Sequence, residues 1–295
     1  MSYVPGLLGL AFAFCIGSTD FISRRPSAKI GYYNTWVYAS LLSSVEMLAV
    51  FPFFTGRLDS FLPNLIPLIA ISALQFAAGN LVYRSYLYGA YSIVAPILYA
   101  YPAVTVILSV VFLKEQLTGA QLLALAAVLV GVATLSTKTS SVRSNLAGKG
   151  KRSLLPGVST AATATTFFGV SFFGLGAIVP STGFFLPAVF SSIFSFFAGV
   201  ALAPAFRINV RPSREKFTKP IALMSLLRSL GILSFNLGIQ SAGSSLSIVT
   251  AISSLGAAFV VAYAIATVHE RPEPIQAVGI VLSLLGVASL LYLTY

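Results

Sequence analysis

Apolar residues in this chain fall in long unbroken runs, separated by short clusters of charge, proline and glycine. Ten runs are legible, at 5–21, 33–54, 63–87, 92–112, 118–136, 155–179, 183–206, 220–239, 246–268 and 274–293. Most approach the roughly 20 apolar residues that cross a hydrocarbon core as a helix. They are continuous rather than alternating, and backbone in lipid must satisfy its own hydrogen bonds, so they predict helices and not barrel strands. The first run has no basic segment before it and no cleavage signature after it. It continues into Asp20, Arg24 and Arg25, and is read as a retained span.

Composition narrows the class. Of 295 residues 57% are hydrophobic and 8% charged, and the mean hydropathy is +0.92. A soluble domain is about one-quarter charged, so too little polar surface exists here to cover a water-soluble particle. A soluble enzyme, a disordered tail and a nucleic-acid-binding domain are all excluded on that ground. One cysteine, Cys15, allows no internal disulfide, and one histidine, His269, leaves little for a metal centre. No cofactor is expected.

The longest polar segment, 137–153, carries Lys138, Arg143, Lys149, Lys151 and Arg152 and no acid. It divides the chain into a first five-helix repeat at 1–136 and a second at 154–295. A flexible tether accounts for it, with a binding tail as the alternative. The halves are related: a shift of 155 positions, without a gap, sets 13 identical residues of 89–135 on 244–290. Among them are Ser92-Ile93-Val94 on Ser247-Ile248-Val249, Glu115 on Glu270, Gln121 on Gln276, and Gly131-Val132-Ala133 on Gly286-Val287-Ala288. The earlier spans of the two halves show no such match. An odd number of spans per copy inverts the second copy relative to the first. Inverted repeats of this kind build secondary transporters with a site near the midplane.

The net charge of +11 acquires a location from the same ten spans. Of 18 basic residues, 14 lie in the segments joining spans 1–2, 5–6, 7–8 and 9–10, which share one face. The other face holds Arg57 and Lys114, and two residues, Arg84 and Arg228, lie within spans. By the positive-inside rule the basic face is cytoplasmic, the 137–153 segment is a cytoplasmic linker, and both termini are extracytoplasmic.

Ionisable groups within a span are costly, about 2.5–3.5 kcal/mol at the centre on insertion scales, and usually face a cavity or a partner. Arg228 and Glu46 both fall near the midplane. Either they neutralise each other as a buried pair, or Arg228 meets a substrate carboxylate or phosphate with Glu46 as counter-charge or proton carrier. Arg84 lies about one turn from the cytoplasmic end of its span and is placed to snorkel to headgroups. Asp20, near the same face, is expected to pair with Arg24 or Arg25. Uncharged polar residues complete a candidate substrate set: Gln75, Asn80 and Tyr83 on span 3, Tyr99 on span 4, Asn236 on span 8 and Ser254 on span 9. The bland reading of the serines and threonines is helix–helix contact. Pro96 and Pro102 should distort span 4 and expose carbonyls, which is tolerated beside a cavity. Trp36 and many tyrosines read as interface anchors. His269-Glu270 lacks the second histidine and third ligand of a metalloprotease helix, and reads as a membrane-boundary pair.

The stretch NLVYRSYLYGAYSIVAPILYAYPAVTVILSVVFLKEQLTGAQLLALAAVLVGVATL resembles the EamA-type repeat of the drug/metabolite transporter superfamily. The second copy, NLGIQSAGSSLSIVTAISSLGAAFVVAYAIATVHERPEPIQAVGIVLSLLGVASL, is similar but more diverged. The Glu, Gln, Gly order at Glu115, Gln121 and Gly131, and again at Glu270, Gln276 and Gly286, is its most recognisable part. The resemblance implies an all-α membrane protein of ten helices in two inverted halves, alternating access, and no enzymatic activity. It also implies that helices 1, 3, 4, 6, 8 and 9 border a cavity while helices 5 and 10 support from outside. The motif residues are then supports of the repeat, not binding residues. More familiar members carry a basic segment after helix 2, where this chain has only Arg57 and Asp59; the orientation above follows the charges instead.

The expected function is secondary transport of a small metabolite across the plasma membrane, with export of amino acids or related compounds favoured by the resemblance. Uptake of an anionic metabolite and a non-transporting membrane scaffold are the alternatives. The expected partners are a small-molecule substrate and the lipid bilayer, with no nucleic acid, in a monomer or homodimer. The orientation has a direct test. Alkaline phosphatase fused after Tyr295 should be active and a fluorescent protein fused there dark; a fluorescent C-terminal fusion would overturn it.

Overall fold

The structure, a computed structural model, describes residues 3–53, 58–135, 151–242, 246–268 and 274–294. Most of the 137–153 linker, as well as Arg57, His269, Glu270 and Arg271, lies outside the described residues. Among the described residues there is helix and no strand. The helices are α1 Val4–Ile30, α2 Tyr32–Val50, α3 Leu65–Tyr88, α4 Tyr91–Leu98, α5 Tyr101–Phe112 and α6 Gly119–Leu135. They continue as α7 Lys151–Thr182, α8 Phe185–Leu202, α9 Lys219–Ala242, α10 Leu246–Ser253, α11 Gly256–Val268 and α12 Pro274–Thr294. The pairs α4–α5 and α10–α11 are each one interrupted span, so the twelve helices make ten crossings. Eight of these are long and apolar enough for a membrane, and two carry shorter apolar stretches, Gly119–Val132 and Val281–Leu290.

Two helix ends differ from the sequence expectation. The sequence places the end of the first span at Phe21, before Arg24 and Arg25; α1 instead continues nine residues to Ile30. Arginine and lysine are good helix formers, so charge alone does not end a helix. The stop is Gly31, at φ +86°, a backbone conformation that glycine adopts without a Cβ penalty. This extension carries Asp20 well inside the helix. At the other repeat, α7 starts at Lys151, inside the expected linker.

The interruptions obey the internal repeat. The 155-residue shift carries Tyr91 onto Leu246, Leu98 onto Ser253, Tyr101 onto Gly256 and Gly119 onto Pro274, so four helix ends coincide in the two copies. Pro96 and Pro102 account for the first interruption, since proline lacks an N–H and crowds the preceding turn. The second has no proline and was not expected. Its turn is held by short-range bonds, from Ser254 N to Ala251 O at 3.1 Å and from Leu255 N to Ile252 O at 3.1 Å.

Packing in such a chain does not rest on expelling water between helices, because lipid is as apolar as leucine; close backbone approach and polar bridges do the work. α1 runs through the middle and meets α2, α3, α9, α10 and α11. A Cβ on Gly17 would lie 2.8 Å from Gly256 O, and one on Gly79 would fall 1.9 Å from the ring of Trp36. Serines bridge the helices between halves: Ser43 Oγ to Ser229 Oγ at 2.8 Å, and Ser72 Oγ to Ser191 Oγ at 3.0 Å.

The repeat motif acquires its physical meaning here. Gly131 of α6 faces Ser283 and Gly279 of α12, and Gly286 of α12 faces Val128 and Ala124 of α6. Gln121 Oε1 accepts from Thr118 N at 3.0 Å while Gln121 N donates to Thr118 Oγ1 at 3.2 Å, a capping box at the start of α6. Glu115, in the loop before α6, is buried against the other repeat. It accepts from Ser247 Oγ at 2.6 Å and from Ser247 N at 3.2 Å, at the N-terminus of α10, where backbone donors lack helical partners.

Two predictions follow from these contacts. Gly79→Ala should destabilise the protein by about 1–3 kcal/mol through overpacking against Trp36, read as a lower thermal midpoint; an unchanged midpoint would contradict the contact. Burial holds the Glu115 carboxyl above its usual range, against the lowering by the Ser247 bonds. A raised folded-state value favours the protonated form, so this group's contribution is largest at low pH and is lost as pH rises through that value. Glu115→Gln keeps an acceptor for Ser247 and removes the titration. As pH rises from the ordinary glutamate range of about 4, the wild-type thermal midpoint should fall relative to that of the variant; parallel profiles would refute this.

Candidate functional site

The two interrupted spans meet beside α1, and the chain encloses a cavity of ≈ 70 Å³ there. Its wall comes from α1 (Phe12, Ile16, Thr19, Asp20), α2 (Trp36), α3 (Gln75, Val82, Tyr83), α4–α5 (Leu98, Tyr99, Tyr101), α7 (Phe168, Phe172) and α9 (Arg228, Ile232). Both repeats contribute. The interruption itself supplies the tyrosines: Tyr99 and Tyr101 flank the non-helical step at Ala100, and their side chains leave it in different directions. Tyr99 Oη donates to Asp20 Oδ2 at 3.0 Å, and its ring lies where a Cβ on Gly256 would stand. Tyr101 Oη bonds Ser253 Oγ across the two interruptions.

An aromatic cluster closes one side. Phe12 and Phe172 each approach Phe235, at ring-centroid distances of 4.9 and 4.6 Å, and Tyr101 stands 4.8 Å from Phe172. On another side Trp36 and Tyr83 meet edge to face at 5.2 Å. Such pairs fix ring positions more firmly than area alone.

Two opposite charges share this wall. Arg228 is buried, with its guanidinium carbon 3.9 Å from the Trp36 ring centroid and Nη1 donating to Ser40 Oγ at 2.7 Å. Stacking a planar guanidinium on indole offsets part of its lost hydration. Asp20 is also buried, with Tyr99 at 3.0 Å and Tyr86 Oη approaching the same oxygen at 3.5 Å. Among the described residues neither charge has an ion-pair partner. Two further buried polar atoms at the cavity, Tyr83 Oη and Trp36 Nε1, have no hydrogen-bond partner among the described residues. Buried polar groups are normally satisfied, so two charges without an ion pair and two polar atoms without a partner, gathered in one small cavity, make it the candidate site.

Of the residues singled out from sequence, Arg228, Gln75, Tyr83 and Tyr99 line this cavity together. Glu46, Asn80, Asn236 and Ser254 do not line it. Glu46 is half-buried between α2 and α9, where Ser225 Oγ and Ser229 Oγ each donate to it at 2.6 Å. It does not form the direct pair with Arg228. Asn80 Nδ2 donates to Phe76 O at 2.9 Å, Asn236 Nδ2 to Phe184 O at 2.9 Å, and Ser254 Oγ to Ala251 O at 2.6 Å, all to backbone carbonyls. Sequence reasoning missed two residues here. Asp20 was assigned to Arg24 or Arg25, yet Arg24 stacks on Tyr91 at 5.1 Å and Asp20 turns inward to the tyrosines. Its signal was the lone acid of the first span. Trp36 was assigned to the membrane boundary, but it is buried under Arg228, and only the facing Gly79 makes room for it.

Comparison with known proteins agrees with this architecture. The model of the EamA-like transporter family matches residues 5–137 and 155–292. An uncharacterized protein of Methanocaldococcus jannaschii is 28% identical over 131 residues, 44% of this chain and 94% of its own length, so it is about as long as one matched segment. A protein of known crystal structure superposes with a TM-score of 0.72 over 97% of each chain at 15% identity, a likeness of fold alone. The chain is a multi-pass membrane protein of the drug/metabolite transporter type, and with two family segments covering nearly its whole length it belongs to the EamA-like transporter family.

Proposed function

We propose that the chain is a secondary transporter of the plasma membrane that exports a small metabolite carrying both charges, an amino acid or a close relative. The observation that carries this reading is the placement of Arg228 and Asp20 on one cavity wall without an ion pair between them. A guanidinium recognises a carboxylate, and a carboxylate flanked by hydroxyls recognises an ammonium. Trp36, Phe172 and Tyr83 supply an apolar body around them. The halves would rock about this cavity, with the two interruptions as the points where backbone carbonyls become available to a ligand. Export is the direction favoured by the family resemblance. The division at 137–153, the cytoplasmic linker, the extracytoplasmic termini and a monomeric or homodimeric state belong to the same reading. Glu46, Asn80, Asn236 and Ser254 would then act outside the first contact with substrate, and Gln75, Tyr83 and Tyr99 within it.

Asp20 weighs against the anionic-metabolite alternative, because a second negative charge would meet an anionic cargo. Purified protein in liposomes separates these readings. Saturable amino-acid counterflow should be competed by other zwitterions, and poorly by analogues lacking either the amine or the carboxylate. Loss of one charge-assisted hydrogen bond costs about 1.5–3 kcal/mol, so Arg228→Ala and Asp20→Asn should each weaken transport about 10- to 100-fold with folding retained. Transport of carboxylates alone would favour the anion carrier; absence of any saturable flux would favour a scaffold.

A further inference from the structure

A second and larger space lies away from the central cavity. It is a lateral crevice of ≈ 480 Å³ between α3 and α8, closed at one end by the first turn of α2. On α3 its lining runs from Ala73 to Arg84, eleven steps or about 16 Å at 1.5 Å per residue. That is about half of a roughly 30 Å hydrocarbon core, the depth of one leaflet.

The crevice is graded along this length. Its deep part is apolar, with Phe76 and Phe194, and its shallow end carries Asn80, Arg84 and Tyr32. Arg84 is exposed, its guanidinium carbon 5.9 Å from the Tyr32 ring centroid, and it has no ion-pair partner among the described residues. Asn80 stands one helical turn below it. Its amide is buried; one N–H donates to Phe76 O, and the second is the kind of donor that an ester carbonyl accepts. Arg207 lies between two lining residues, Phe206 and Ile208, and adds a second cation at the same end.

A cation over a polar amide over an apolar slot one leaflet deep has the order of a phospholipid: phosphate, ester linkage, acyl chain. Basic pockets between membrane helices select anionic headgroups. We infer that the crevice between α3 and α8 is a binding site for one anionic phospholipid, its phosphate held by Arg84 and one acyl chain lying between the two helices. Since α3 and α8 belong to opposite repeats, a lipid there joins the halves along their outer seam.

Native mass spectrometry of the detergent-purified protein tests this. With dioleoylphosphatidylglycerol the protein should retain one lipid and rise in thermal midpoint; with dioleoylphosphatidylcholine it should do neither. Arg84→Ala, at an exposed position compatible with folding, should reduce retention about tenfold, the effect of one charge-assisted contact. Ala198→Trp, which fills the slot and leaves Arg84 in place, should reduce it as well. Glycerol 3-phosphate and inorganic phosphate, which carry the anion without the chain, should not raise the midpoint. Equal retention of the two lipids, undiminished retention in either variant, or an equal shift with glycerol 3-phosphate would each overturn the assignment.

Discussion

A chain that crosses lipid has no water to satisfy its amides, so an interrupted helix is admissible only where protein surrounds the interruption. The architecture of this protein follows from having two. The halves on either side of the Ser254-Leu255 step pack on α1, and the step at Ala100 reaches α1 through Tyr99, whose hydroxyl bonds Asp20; α1 thus occupies the middle of the bundle and touches helices of both repeats. Small residues make that approach possible: a Cβ on Gly17 would stand 2.8 Å from Gly256 O, and one on Gly9 3.2 Å from Val249 O. The tyrosines of the first interruption then fill what the second leaves open, with Tyr99 on Gly256 and Tyr101 on Ser253.

The same constraint decides where charge can sit. A bare guanidinium or carboxylate in such an interior is expensive, and pairing the two would be the simplest remedy. Here each is held separately, Arg228 by an indole face and a serine, Asp20 by tyrosine hydroxyls. Glu46, the obvious counter-ion, is committed to Ser225 and Ser229. A wall that keeps two opposite charges apart retains their capacity to meet charges of a ligand, and an ion pair would have spent it.

Much of the fold was legible because it rests on properties local to one segment. Run length gave ten crossings, and the 155-residue shift, found from thirteen identities, also carries helix ends of one copy onto the other. The site was legible in part. Arg228 announced itself by its depth in an apolar run, but Asp20 could not be placed without knowing that α1 continues to Gly31. Trp36 depends on a glycine 43 positions away on another helix, and Glu115 on a serine of the other repeat. Contacts of that kind carry no periodicity for a single sequence to display. The interruption between α10 and α11 is hidden for a different reason: it lacks proline, and only its equivalence under the repeat to the Pro96 and Pro102 region marks the place.

The two copies are alike in layout, and the repeat pairs single residues as well as helix ends. Ser92 and Ser247 are equivalent under the repeat, each one residue into the first half of an interrupted span. Ser247 is held through backbone and hydroxyl by Glu115, whereas Ser92 Oγ is buried with no partner among the described residues. Under the repeat the counterpart of Glu115 is Glu270, which lies outside the described residues. The Glu115–Ser247 contact gives the repeat's glutamate its physical role: it ties the loop before the last helix of one copy to the first half of the other copy's interrupted span, across the seam between the halves.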